Sequence, residues 1–282
     1  MSGKPDREWI SRINRFFGAR CQVVWWGHEE AEVRHVGRWS VPRDLREEAA
    51  ANRADQARRG KPNETQALCI EPIDFTASRP TIGYRSIDYA TARALRAHDL
   101  CPGYGVLSAS CFLVDVAEEA LIVQKRGAGM DLNPGRLHGF AGAYMPGREP
   151  DDSDGDGGSL LRTARRELRE ETGLDLAVLS PAHLVFFSDP NTTALELCLL
   201  GVAPEPKDIS RLVDTEEGGI VHVRMAELGD LLRHSERWGP GGQCEVMAWL
   251  ALGAPPFSPG RDFGGRTAKQ IFRDLTETAP RG

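Results

Sequence analysis

RRELREETGL, residues Arg165–Leu174, places three carboxylates where one helical face collects them. At roughly 100° per residue, Glu167, Glu170 and Glu171 fall within an arc of about 100°, the i, i+3, i+4 relation. Leu161, Ala164 and Leu168 form an apolar stripe at the same spacing beside that arc, so the acids border a buried edge. Three like charges this close repel one another, and a divalent cation reverses the sign of that interaction. An all-oxygen, carboxylate-rich set suits Mg²⁺, with Mn²⁺ able to substitute. Arg166 stands four residues before Glu170 and is placed to pair with it and orient its carboxylate. Alone, such a string also reads as a solvated helix laced with Arg–Glu pairs.

Working outward, this helix spans about Ser159 to Thr172 and is stopped by Gly173. Before it, VLSASCFLVD (Val106–Asp115) and ALIVQKR (Ala120–Arg126) are apolar strand-like runs, followed by a Gly/Pro-rich segment, Gly127–Gly147. After it come HLVFFSD (His183–Asp189), TALELCLLGVA (Thr193–Ala203) and GIVHVRM (Gly219–Met225), then a helix in AELGDLLRH (Ala226–His234). Strands, helix, strands and helix in that order predict a mixed α/β (α+β) sandwich over residues 105–252. Glu196 within TALELCLL reads as the solvent side of an alternating strand.

A break at CPGYG, Cys101–Gly105, separates this region from a smaller N-terminal α+β region, residues 1–104. There CQVVWW (Cys21–Trp26) and Ala31–Ser40 read as strands, and Pro42–Gly60 as a charged helix. Thr65–Phe75 reads as extended, and Thr81–His98 as turning into a helix with Asp88 near its start. Trp25, Trp26 and Trp39 read as core, and the region is open to a role in substrate recognition, homodimer formation or both. Residues 253–282, rich in Gly, Pro and Arg, are expected to be partly disordered around a short helix at Thr267–Leu275.

Composition narrows the function. A net charge of −6 argues against nucleic-acid binding, because phosphate neutralisation needs clustered Lys and Arg. The Arg-rich segment Arg46–Arg59 carries compensating acids and reads as a solvated or interface face. Six scattered cysteines form no C-x-x-C pair, so reduced buried thiols are expected. No apolar leader or long uncharged run is visible, which makes the cytoplasm the expected location, with no membrane partner.

Arg166–Leu174 resembles the second half of the Nudix box, R-E-U-x-E-E-x-G-U with U apolar, at every fixed position. Read without a gap, the first half departs from the pattern, its glycine and glutamate positions holding Asp152 and Gly158. Read with a gap, GFAGAYMPGREP (Gly139–Pro150) resembles the glycine loop, with Gly142 and Glu149 at the box positions and Pro150–Ser159 as a polar insert. That insert reads as a surface loop, since DDSDGDGGS lacks the spacing of a calcium loop. The resemblance implies an α/β/α sandwich with a mixed sheet. It also implies Mg²⁺-dependent hydrolysis of the diphosphate bridge in a nucleoside diphosphate linked to a group X, with Glu167, Glu170, Glu171 and Arg166 as catalytic and metal-holding residues. Of these, Glu167 is best placed to double as base. A further glutamate from a late loop is expected, and Glu216 or Glu217 in VDTEEGG stands in a suitable place, Glu217 being taken as the additional metal ligand.

Beyond the box, IGYRSIDYATA, DPNTTALELCLLG and EEGGIVHVRMAELGDLL are similar to the UDP-glucose diphosphatase branch of that family. This implies a UDP-sugar cleaved to UMP and sugar 1-phosphate, bound between the two regions. Tyr84 and Arg85 are then candidates for stacking and charge, and Lys125 and Arg126 for phosphate contacts. An ADP-ribose or other nucleotide diphosphatase is the alternative substrate class, and a non-catalytic nucleotide-sensing module the alternative function.

Overall fold

The computed structural model describes residues 8–148, 159–176, 179–189 and 193–277. Glu149 and residues 150–158 of the expected insert lie outside the described residues.

The chain opens with helix α1 (Glu8–Phe17), whose Trp9, Ile13 and Phe17 recur every four residues and are buried. Strands β1 (Gln22–Gly27) and β2 (Glu32–Arg38) follow, then helix α2 (Arg46–Arg58), β3 (Thr65–Cys69), β4 (Thr81–Asp88) and α3 (Tyr89–Ala97). Asp88 caps α3, its side chain accepting from the Thr91 N–H at 2.8 Å. Strand β5 (Gly105–Asp115) is buried at every position, matching its nearly continuous small and apolar run. Next come β6 (Ala120–Arg126), β7 (Leu137–His138), β8 (Phe140–Ala143) and α4 (Leu160–Thr172). The rest is β9 (His183–Asp189), β10 (Ala194–Val202), α5 (Pro206–Ile209), β11 (Gly218–Arg224), α6 (Met225–Arg233), α7 (Pro240–Ala251) and α8 (Ala268–Glu277).

Among the described residues the strands form one mixed sheet: β10 runs parallel to β5 and β2 parallel to β4, while the other pairs are antiparallel. This is the mixed α/β arrangement expected from the order of elements. Side chains alternate across β5. Leu107, Ala109, Cys111 and Leu113 pack with Leu160, Ala164 and Leu168 of α4, while Phe112 and Val114 pack with α1, α6, α7 and α8 on the other face. One edge of β5 is held by β10. The other changes partner along its length, meeting β3 at Gly105–Val106, β8 at Ser108–Cys111 and β6 at Leu113–Asp115. The sheet therefore splays at β5.

Two departures from the sequence reading matter. The sheet continues across the break at residue 104, because β3 pairs with β5 and β1 pairs with β9. Residues 253–277, expected to be partly disordered, are held by burial: Ala254, Phe257 and Phe263 are covered, and α8 packs Ile271, Phe272 and Leu275 into the core beside α6 and α7. The apolar i, i+1, i+4 set of α8 outweighs the breakers around it.

Candidate active site

Helix α4 presents the acidic face. Ser159 caps it, accepting from the Arg162 N–H at 3.3 Å, and Gly173 ends it in the left-handed region at φ 73°. The register this fixes turns Glu167 and Glu171 inward and leaves Glu170 at the rim. Arg166 is buried between them, with Nη1 2.5 Å from Glu167 Oε1 and 3.1 Å from Glu170 Oε2, and Nη2 donating to the Ala143 carbonyl at 3.0 Å. Its expected pairing with Glu170 is present. Glu170 also meets Arg148 at 3.2 Å.

Strand β8 lies directly over this face. The Ala141 N–H donates to Glu171 Oε2 at 3.0 Å, and a methyl group at Gly142 would run into the Glu167 carboxylate. Glycine is needed at 142 for that close approach. Burial is the main cause pushing the Glu167 carboxyl up to about 7; Glu170 and Glu217 add to it, and Arg166 opposes it. Glu171 is pushed well above the usual range by burial and by Glu167, with Arg126 opposing.

A cavity of about 270 Å³ opens beside these acids, and its walls include Arg126, Glu167 and Glu217 together with Glu64, Gln66 and Tyr89 from the N-terminal segments. Arg126 closes β6, and its Nε–H is buried without an acceptor. Glu171 Oε1 likewise has no donor. Glu217 stands on a tight turn tied to that strand end, its carbonyl accepting from the Gly127 N–H at 2.7 Å. Arg126, Glu167 and Glu217 thus face one space, and among the described residues no ion pair joins Arg126 to either glutamate.

The other expected contacts fall elsewhere. Lys125 is exposed and, as the neighbour of Arg126 on a strand, points to the opposite face; it does not line the cavity. Tyr84 is buried in the core, edge-on to Tyr144 with ring centroids 5.5 Å apart, because β4 is an interior strand between β2 and β3. Arg85 pairs with Glu71 at 3.1 Å. Neither Tyr84 nor Arg85 lines the cavity, and Glu216 is exposed outside it.

A second set of polar groups was not anticipated. Glu196, expected on the solvent side of its strand, faces the cavity wall instead, and its Oε2 accepts from Ser108 Oγ at 3.2 Å. The alternation was read correctly but the far face is covered, by α7 with its fully buried Glu245. Ser110 Oγ donates to Glu245 Oε1 at 2.7 Å, and His138 of β7 completes the group. Burial and neighbouring Glu196 push Glu245 well up. Burial also acts to raise Glu196, but hydrogen bonding from Glu245 and the nearby His138 outweigh it and hold that carboxyl down. The available signal was Glu245 itself, a lone charge in the otherwise uncharged helix PGGQCEVMAWLA.

The α4 site suits a hard cation: Glu167, Glu171 and Glu217 offer oxygen alone, and the unmet Glu171 Oε1 is a ready ligand atom. Glu170 is held on both oxygens, by Arg148 and Arg166.

A scan against protein-family models found no match, and a search of curated proteins found none. Solved structures give partial likenesses. A protein described as MutT from Methanosarcina mazei Go1 is 12% identical, over 61% of this chain and 92% of that one, with a TM-score of 0.33. A Deinococcus radiodurans protein is 19% identical, over 48% and 76%, at 0.35. A bifunctional NMN adenylyltransferase/ADP ribose pyrophosphatase from Francisella tularensis, complexed with AMP and Mn ion, is 8% identical, over 52% and 42%, at 0.36. At such identities and scores the likeness fixes neither family nor activity.

Proposed function

We propose that this chain is a Nudix-type, Mg²⁺-dependent pyrophosphohydrolase that splits the diphosphate bridge of a nucleoside diphosphate linked to X. The observation that carries the reading is the set of unmet groups at one site: among the described residues Glu171 Oε1, one turn along α4 from Glu167, has no donor and Arg126 Nε–H no acceptor, while Arg126, Glu167 and Glu217 line one cavity. A diphosphate bridged to a divalent cation satisfies both at once. The Arg166–Leu174 string supports the same reading independently of the geometry.

In this mechanism Glu167, Glu171 and Glu217 hold the cation, and Arg166 fixes the Glu167 carboxylate through a buried contact. A Mg²⁺ ion held by these residues would supply positive charge against the phosphates and lower the pKa of a water molecule. Arg126 binds phosphate oxygens and holds the bridge against the glutamates. Glu167 takes the proton of the attacking water. The cavity wall from residues 61–96 receives the nucleoside or X. A UDP-sugar giving UMP and sugar 1-phosphate is the substrate we favour, on the branch-like segments of the sequence.

The test incubates purified protein and Mg²⁺ with UDP-sugars, ADP-ribose, NADH, dinucleoside polyphosphates and nucleoside triphosphates, identifying products by mass. UMP and sugar phosphate from a UDP-sugar supports both parts of the proposal. Cleavage of ADP-ribose alone keeps the reaction and discards the UDP-sugar. Tight nucleotide binding with no turnover of any compound favours a sensing module and overturns the enzyme.

A further inference from the structure

The second polar group lies on the other face of the sheet from α4. Ser108 and Ser110 project opposite to Leu107, Ala109 and Cys111, which pack toward that helix. Glu196 on β10 and Glu245 on α7 are each tethered by one of these serines through a single oxygen. Their remaining oxygens, Glu196 Oε1 and Glu245 Oε2, are buried and meet no N–H or hydroxyl donor among the described residues. Glu245 is fully buried, so a whole ligand such as a sugar cannot surround it. A ring nitrogen of His138 and one oxygen of each glutamate lie within 4.8 Å of one another. In a tetrahedral site, bonds of about 2.0–2.2 Å put donors about 3.3–3.6 Å apart, so the widest pair closes by at most about 1.5 Å when an ion binds.

The surroundings are built to hold these donors close. The N-terminal turn of α7 presses on the histidine, where a Cβ at Gly242 would stand 2.8 Å from His138 Cα and one at Gly241 3.3 Å from its Nε2. On the other side, a Cβ at Gly139 would stand 2.8 Å from Glu245 Oε2. Larger residues at these positions would push the donors apart.

We propose that His138, Glu196 and Glu245 form a second divalent-cation site, separate from the α4 glutamates and open to the cavity through Glu196. One imidazole with two carboxylates selects a first-row transition ion such as Mn²⁺ or Zn²⁺ over Mg²⁺, which favours oxygen alone. Coordination requires both carboxyls in their ionised form, so a proton carried by Glu245 leaves to solvent when the ion binds. The site does not depend on the proposed hydrolase activity.

Mn²⁺ added to the untagged full chain provides the test, read by pulsed EPR for a directly bound nitrogen. The α4 glutamates offer only oxygen, so a nitrogen coupling reports this site. We expect the coupling in the wild-type protein and in Glu167→Gln/Glu170→Gln, and its loss in His138→Asn. Glu245→Gln, nearly isosteric, is expected to weaken the nitrogen-coordinated Mn²⁺ tenfold or more. Absence of nitrogen coupling in the wild-type protein at saturating Mn²⁺, or its survival in His138→Asn, overturns the proposal. Both readouts are independent of turnover.

Discussion

Gly142 and Glu167 show how closely the acidic site is built. Strand β8 rests on the Glu167 carboxylate, so Gly142→Ala should displace it and weaken Mg²⁺ binding tenfold or more, measured by calorimetry, while circular dichroism stays native. Unchanged affinity would mean that β8 yields without moving the acid. Glu167 also sets a pH dependence. Its carboxyl is raised in the fold to about 7 from the ordinary 4.5, so the folded state binds more protons than the unfolded state between those values. The contribution of Glu167 to the stability of the metal-free protein is therefore fully present below about 4.5 and is lost as pH rises through about 7, and Mg²⁺ should offset that loss. Apparent Mg²⁺ affinity should in turn drop by up to about tenfold per unit as pH falls below 7, since proton and metal compete. Thermal melts with and without Mg²⁺ from pH 5 to 8 check both signs. At this scale the box residues were legible because one face of α4 carries them all. Glu196 was not, because a glutamate on an alternating strand looks the same whether water or a second helix covers it, and Glu245, a lone charge in an apolar helix, was the overlooked signal.

Helix α4 was readable almost to its ends, since Ser159 and Gly173 are local signals. Ser159→Ala should cost about 1 kcal/mol of stability through the lost cap, and the loss extends to Glu30, whose carboxylate accepts from Ser159 Oγ at 2.8 Å. Helix α8 (Ala268–Glu277) was also read, at Thr267–Leu275, but its burial was not. Its seed, Ile271 with Phe272 and Leu275, lies in a stretch dense in Gly, Pro and Arg, and its docking onto α6 and α7 is a long-range contact that no local pattern reveals. Ile271→Ala should destabilise by about 2–5 kcal/mol, as for a fully buried aliphatic side chain. A change within about 0.5 kcal/mol in urea unfolding would show that the tail adds nothing to the core.

Taken whole, the molecule puts its cavity where the sheet splays, with one wall from residues 61–96 and the other from β6, α4 and the turn at Glu217. The break at residue 104 is a real change of texture in the sequence, yet strand pairing crosses it twice. Pairing partners distant in sequence leave no local trace, which is why the layout was legible and the joining of the sheet was not. A fragment of residues 105–282 should consequently be insoluble or unfolded, because it exposes the edges of β9 and β5 that β1 and β3 cover; a soluble, cooperatively melting fragment would contradict this. No helix among the described residues is long and apolar enough to cross a membrane.

The central claim is that the acids of α4 and Arg126 act together on a diphosphate. Its most direct test is the rate of nucleoside monophosphate release from the best substrate of the panel, with Mg²⁺ and without, for the wild type, Glu171→Gln and Arg126→Ala. Release should be metal-dependent, with a loss of about 10²-fold or more in kcat for Glu171→Gln and a rise mainly in KM for Arg126→Ala. Wild-type release that is unaffected by removing the metal, or equal in Glu171→Gln, would contradict it.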